Sequence, residues 1–187
     1  MVREFAGKME RAISGAENIV IVGHFNPDGD SVGSVTGMYY YLKELGKKAV
    51  VVLPSSYPEY LSFLDKDRDY LIFTKNPEKV AQAIGESDLI IGLDFNNLGR
   101  TEGVKNLFAA SSAQKILIDH HPNPERSSFD LICSTVDTSS TCELLFYILM
   151  ETTLVDNDIE KMPYRSAEGL ATGMLTDTNN FKNSSIA

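Results

Sequence analysis

Cysteine is scarce, long apolar runs are missing and basic residues are outnumbered, and each shortage excludes a class of protein. The two cysteines among 187 residues, Cys133 in DLICSTV and Cys142 in STCELLF, sit among apolar neighbours without metal-site spacing. They read as buried free thiols, not as a disulfide framework or a thiolate metal site. No apolar run reaches the roughly 18 to 20 residues that a membrane-spanning helix needs. The opening MVREFAGKMERAISG is mixed and charged where a secretory signal would be apolar. A cytoplasmic protein with no membrane partner is therefore expected. Lys and Arg total 17 against 26 Asp and Glu, a net charge of −9. That balance argues against a broad surface for duplex nucleic acid, which is gripped through phosphate contacts. A small phosphorylated substrate stays admissible, because divalent cations held by carboxylates would dominate the local field.

The remaining composition, 43% hydrophobic and 23% charged, is that of a globular chain long enough for one domain with a real core. Short β-rich runs recur as ENIVIVG, KAVVVLP, YLIFT, DLIIGLDF, QKILID and FDLICSTV. Helix-length segments such as SVTGMYYYLKELG, NPEKVAQAIGES and GVKNLFAASS separate them. This alternation predicts an α/β fold with a mainly parallel β-sheet flanked by helices on both faces. Runs such as VIV, VVV and LII lack period-2 alternation, as strands covered on both faces do. Near the end, SSTCELLFYILMETT and IEKMPYRSAEGLATGMLTDT read as two helices packed over the sheet edge. In the second, Ala167, Leu170, Ala171, Met174 and Leu175 form the expected buried stripe, with Asp177 where the helix ends.

In open α/β sheets, ligands bind beyond the carboxyl ends of the strands. Three predicted strands end in chemistry-bearing residues. IVIVG leads into His24, Asp28 and Asp30, LIIGL into Asp94, and KILI into Asp119, His120 and His121; the helix carrying Asp177 can close the cluster. All three histidines of the chain fall at these ends. Singly, each piece has a plainer explanation. NPDGD is a good turn in which Asp30 can cap the next helix, Asp94 can be a loop residue, and the two adjacent histidines can be packing. Together, four aspartates and two histidines form a plausible ligand set for two divalent metals. Two cations about 3.5 to 4 Å apart can share a carboxylate, supply a nucleophilic water at neutral pH and neutralise an in-line phosphoryl displacement. Histidine favours manganese, cobalt or zinc over magnesium. Pro27, Gly29 and Gly33 are expected to bend the backbone so that Asp28 and Asp30 face neighbouring ions.

Asp119-His120-His121 resembles the signature of the DHH phosphoesterase family, and GHFNPDGDSVGS, LDFNNLGR and GLATGMLTDTNNF resemble its other motifs in the same order. The resemblance implies residues 1–187 as a DHH catalytic domain with two Mn²⁺, for which Co²⁺, Zn²⁺ or Mg²⁺ can substitute. It assigns His24, Asp28 and Asp94 to one ion and Asp30, Asp94, His120 and Asp177 to the other, with Asp94 bridging. His121 resembles the residue that contacts the scissile phosphate and assists the leaving group. Asp119 would orient a ligand, and Arg100 occupies the family's arginine position, with a surface salt bridge as its plainer reading.

The DGD in place of the DTD usual in manganese inorganic pyrophosphatases resembles bacterial members that degrade very short oligoribonucleotides and dephosphorylate 3′-phosphoadenosine 5′-phosphate. Exopolyphosphatase or pyrophosphatase activity is the alternative. The implied partners are a small phosphorylated nucleotide or short single-stranded RNA, with a second copy of the chain as a candidate. Family members continue past the Asp177 motif into a C-terminal substrate-binding domain, whereas this sequence stops at KNSSIA. It is expected to be a catalytic-domain fragment that holds metal but turns substrate over poorly, or a non-catalytic nucleotide-binding module, because positioning groups contribute several kcal/mol to such reactions. A haloacid-dehalogenase-type phosphatase fits less well, since Asp28 comes several residues after its strand and Asp94-Phe95-Asn96 lacks the second carboxylate. A dinucleotide-binding domain would need G-x-G-x-x-G where GHFNPDGDSVG stands.

Overall fold

The computed structural model describes residues 2–178 together with 180 and 182; positions 179 and 181 of the GLATGMLTDTNNF motif lie outside the described residues. Six strands follow one another as β1 Asn18–Val22, β2 Lys48–Leu53, β3 Leu71–Ile72, β4 Leu89–Leu93, β5 Gln114–Asp119 and β6 Leu131–Ser134. They form one sheet in the order β3-β2-β1-β4-β5-β6, every neighbouring pair parallel. All six correspond to the apolar runs read from the sequence. The helices are α1 Val2–Gly15, α2 Gly29–Glu44, α3 Pro77–Gly85, α4 Lys105–Ala110, α5 Thr141–Met150 and α6 Tyr164–Asp177. Among the described residues, no helix is long and apolar enough to cross a membrane.

The strands bury both faces, as their unbroken β-branched runs require. Ile19, Ile21, Val51, Ile91 and Ile118 share one core with α1, α2 and α5, while Val20, Val22, Ile90 and Leu117 pack on the other face with Val80, Ile84 and Phe108 of α3 and α4. Both cysteines are buried free thiols. The first helix, absent from the alternation read above, places Phe5, Ala6, Met9 and Ile13 in the core at helical spacing.

The end of the chain differs from expectation in three ways. Pro163 interrupts the last segment, so Ile159–Lys161 is a single 3₁₀ turn and α6 starts only at Tyr164; proline disfavours helix in the residue before it. Second, α6 does not lie over the sheet edge. It packs on α2, making a further layer outside the sheet and its first helices. Third, its buried residues are Ser166, Gly169, Leu170 and Gly173, whereas Ala171 and Leu175 are exposed. Small residues let the two backbones nearly touch. A Cβ on Gly33 of α2 would stand 2.5 Å from the carbonyl oxygen of Gly169, and one on Gly169 would stand 2.8 Å from that of Gly33. Ser166 Oγ reaches across to donate to the Gly37 carbonyl at 2.6 Å.

Backbone atoms cannot give way as a side-chain tip can. Gly33→Ala is therefore expected to destabilise the fold by about 1 to 3 kcal/mol, the usual cost of overpacking, read as a lower melting temperature in calorimetry. An unchanged melting temperature would mean that α2 and α6 can part without loss.

Candidate metal centre

The sheet order reverses between β1 and β4, so the loops after these strands diverge and leave a crevice at their carboxyl ends. Every sequence-predicted residue of the cluster gathers there. After β1 the chain turns through Asn26, whose φ of 51° takes the left-handed region. The bend is thus made by Asn26 and not by Gly29 or Gly33, which lie inside α2 and admit α6 instead. The helix cap is Asp28, not Asp30: its Oδ1 accepts from the N–H groups of Asp30 at 3.0 Å and Ser31 at 3.1 Å. Asp30, in the first turn of α2, is 1% exposed. Its two oxygens accept from the N–H groups of Thr141 at 2.7 Å and Cys142 at 2.9 Å, at the start of α5. The positive end of that helix faces a carboxylate, a favourable pairing.

Asp94 follows β4 with φ at 66°, its N–H donating to the Ile118 carbonyl at 3.1 Å and its Oδ1 accepting from the Thr141 hydroxyl at 3.0 Å. His24 is 3% exposed. Its Nδ1 lies 2.8 Å from the Phe25 carbonyl oxygen and so carries a proton, turning Nε2 toward Asp94 Oδ2 at 3.3 Å and Asp28 Oδ1 at 3.8 Å. Nε2 is buried and makes no hydrogen bond to any described residue. Beyond β5, His120 Nε2 stands 3.8 Å from Asp30 Oδ2, 3.8 Å from Asp94 Oδ1 and 3.9 Å from Asp177 Oδ2 at the end of α6. These spacings are too long for hydrogen bonds. They suit donors around a common ion, since atoms about 2.1 Å from a metal stand roughly 3 to 4 Å from one another.

Two donor sets result: His24 with Asp28 and Asp94, and Asp30 with His120 and Asp177; Asp94 also groups with His120 and His121. Beside them, Asp119 ends β5 fully buried. It accepts from the His121 N–H at 3.1 Å and from His121 Nδ1 at 2.8 Å, which leaves Nε2 to accept from Arg100 Nη1 at 3.3 Å. Arg100 thus faces His121. The sequence reading passed over Thr141, whose N–H and hydroxyl touch carboxylates of both sets.

The electrostatics describe a site in need of positive charge. Burial and the neighbouring Asp30 push Asp94 well above the ordinary carboxylate range, and the same two influences raise Asp177. Burial opposes the imidazolium of His24, yet Asp28 and Asp94 outweigh it and lift the group to about 10. Burial likewise opposes the Asp28 charge, and His24 with the Ser31 N–H overcomes it, lowering Asp28 to about 2. Divalent cations would relieve this crowding, and the orphaned Nε2 of His24 fits them: an imidazole whose Nδ1 is fixed by a carbonyl presents Nε2 as a ligand.

A model of the DHH family, N-terminal domain, matches residues 18–174. The chain is 32% identical over 165 residues to the bifunctional oligoribonuclease and PAP phosphatase NrnA of Thermus thermophilus, covering 88% of this chain and 44% of that protein. A crystal structure of an exopolyphosphatase-related protein from Bacteroides fragilis superposes with a TM-score of 0.91 at 33% identity, over 98% of this chain and 53% of that one. RecJ of Thermus thermophilus in complex with Mn²⁺ shares the fold, with a TM-score of 0.58 and 18% identity over 95% of this chain and 24% of RecJ. This chain therefore spans about half or less of the length of these relatives.

Neutralising one crowded carboxylate should stabilise the chain when no cation is bound. Asp94→Asn keeps the side-chain shape, and asparagine tolerates the positive φ. In chelator, the variant is expected to gain about 1 kcal/mol, seen as a higher melting temperature; a lower one would show that Asp94 holds the metal-free fold together.

Proposed function

The chain belongs to the DHH family, as its N-terminal domain, and from that premise we propose that it is a two-cation phosphohydrolase acting on short oligoribonucleotides and on 3′-phosphoadenosine 5′-phosphate in the cytoplasm. The observation that carries this reading is the pair of donor sets drawn from three strand ends and the end of α6, with Asp94 of the first set also grouping with His120 of the second. Aspartate and histidine together favour Mn²⁺, with Co²⁺ or Zn²⁺ as close substitutes. Bound there, the cations would supply a nucleophilic water at neutral pH and neutralise phosphate oxygens.

The remaining work falls to the protein's own groups. Arg100 offers a guanidinium to a substrate phosphate at the rim of the site, beside His121. The hydrogen bond to Asp119 outweighs burial and raises His121 above its ordinary value, so more of it is protonated near neutral pH. Once protonated at Nε2, in place of accepting from Arg100, the half-buried imidazole can give that proton to the departing oxygen. Asp119 keeps the ring oriented for that transfer through its bond to Nδ1.

The likeness to NrnA supports nucleotide substrates; that to the exopolyphosphatase-related protein favours polyphosphate as the second reading. Product analysis by mass spectrometry with Mn²⁺ separates them, using 3′-phosphoadenosine 5′-phosphate, a diribonucleotide, polyphosphate and pyrophosphate. Turnover of the first two, abolished by chelator and by Asp94→Asn, is expected. Turnover of polyphosphate alone would replace this reading with the second. Manganese binding without turnover of any substrate would mean either a catalytic domain that depends on groups outside these 187 residues or a binding module.

The role of His121 has its own test. His121→Ala is expected to lower kcat by about 10²- to 10⁴-fold, the range of general acid catalysis, with Mn²⁺ affinity unchanged in calorimetry. Undiminished turnover would remove His121 from the mechanism.

A further inference from the structure

Thr141 stands between the two donor sets. Its N–H donates to Asp30 Oδ2 at 2.7 Å, while its hydroxyl donates to Asp94 Oδ1 at 3.0 Å. Cys142 N–H takes the other oxygen of Asp30 at 2.9 Å. Asp30 belongs to the set with His120 and Asp177, and Asp94 to the set with His24 and Asp28. Thr141 is wholly buried, and helix α5 begins with it. A threonine in a first helical turn needs no such partners, since its hydroxyl can serve its own backbone. Here it reaches a carboxylate 47 positions away in the chain.

We propose that Thr141 is a positioning residue that sets the separation of the two cations by locking the orientation of Asp94 relative to Asp30. The proposal rests on the two-cation reading above. A carboxylate that two ions would share has to keep a fixed orientation toward both, and free rotation would let it swing onto a single ion instead. The Thr141 hydroxyl removes that freedom by engaging Oδ1. It leaves Oδ2 toward His24. Because the clamp on Asp30 comes from backbone N–H groups, it survives any side-chain change at position 141; the bond to Asp94 is the part that depends on the hydroxyl. Losing such an outer partner typically costs 10- to 100-fold in metal affinity.

The test uses Mn²⁺ itself as the probe. Calorimetry is expected to show two ions on the unsubstituted chain, and electron paramagnetic resonance an exchange-coupled pair. In Thr141→Val one of the two ions should bind 10- to 100-fold more weakly and the coupled spectrum should give way to that of isolated Mn²⁺. Thr141→Ser, which keeps the hydroxyl, should restore both. Thr141→Ala carries the same expectation and suits a helix start should the valine variant fail to fold. Wild-type affinity and coupling in a folded valine or alanine variant would overturn the role of Thr141 and leave the two-cation reading intact. Failure of the serine variant to restore coupling would also overturn it, by showing that shape and not the hydroxyl matters. Absence of a coupled pair in the unsubstituted chain would remove the two-cation reading, and this proposal with it.

Discussion

Holding Asp28, Asp30, Asp94 and Asp177 at one edge of a sheet is the constraint on which the other features depend. Like charges so close repel, and burial removes the water that would screen them. The fold answers with hydrogen-bond donors, most of them backbone N–H groups. Asp28 caps α2, Asp30 receives two N–H groups from α5, and Asp94 receives the hydroxyl of Thr141. These bonds orient the carboxylates without neutralising them. Burial and the neighbouring carboxylates push Asp94 and Asp177 up, and carboxylates lift His24 against its burial, so the negative field that would recruit divalent ions persists in the folded chain.

The same constraint explains the packing of α2 and α6. His120 reaches Asp30 at the start of α2 and Asp177 at the end of α6 only because the two helices lie nearly backbone to backbone. Glycine at 33 and 169 permits that approach. A larger residue in either place would widen the layer and carry Asp177 away from His120. Core packing here thus bears on the spacing of Asp30, His120 and Asp177 as well as on stability.

Much of this was legible in the sequence. The six strands announce themselves as short apolar runs, and parallel pairing then carries their polar successors to one edge, which is why His24, Asp94 and His120 could be grouped before any coordinates. The stripe on α6 was misread because periodicity favours Leu175 and Ala171 as core residues, whereas contact at backbone distance favours glycine and serine. Gly29 and Gly33 looked like turn residues for a similar reason. Their neighbours in space, Thr176 and Gly169, lie far along the chain. Thr141 was out of reach altogether. Ser140 and Glu143 mark a helix start, but nothing local says what that start faces.

Asp94 shows why the site is more than a collection of acids. Among described non-glycine residues with positive φ, it alone is buried, the others being Asn26, Arg68, Glu102, Asn123, Asp156, Asn157 and Asn180 at exposed positions. At the surface such a conformation costs little when water can satisfy the side chain. In the interior it adds backbone strain of order 1 to 3 kcal/mol to the cost of a buried carboxylate. Next to it, His24 buries a nitrogen with no hydrogen bond. Three local violations, of backbone, charge and hydrogen bonding, coincide within one contact distance while the surrounding sheet follows every rule of its class. Sequences depart from local consistency where function requires it. With the left-handed turn in place, Asp94 Oδ2 lies 3.3 Å from His24 Nε2 and its Oδ1 lies 3.8 Å from His120 Nε2, so one side chain faces both histidines.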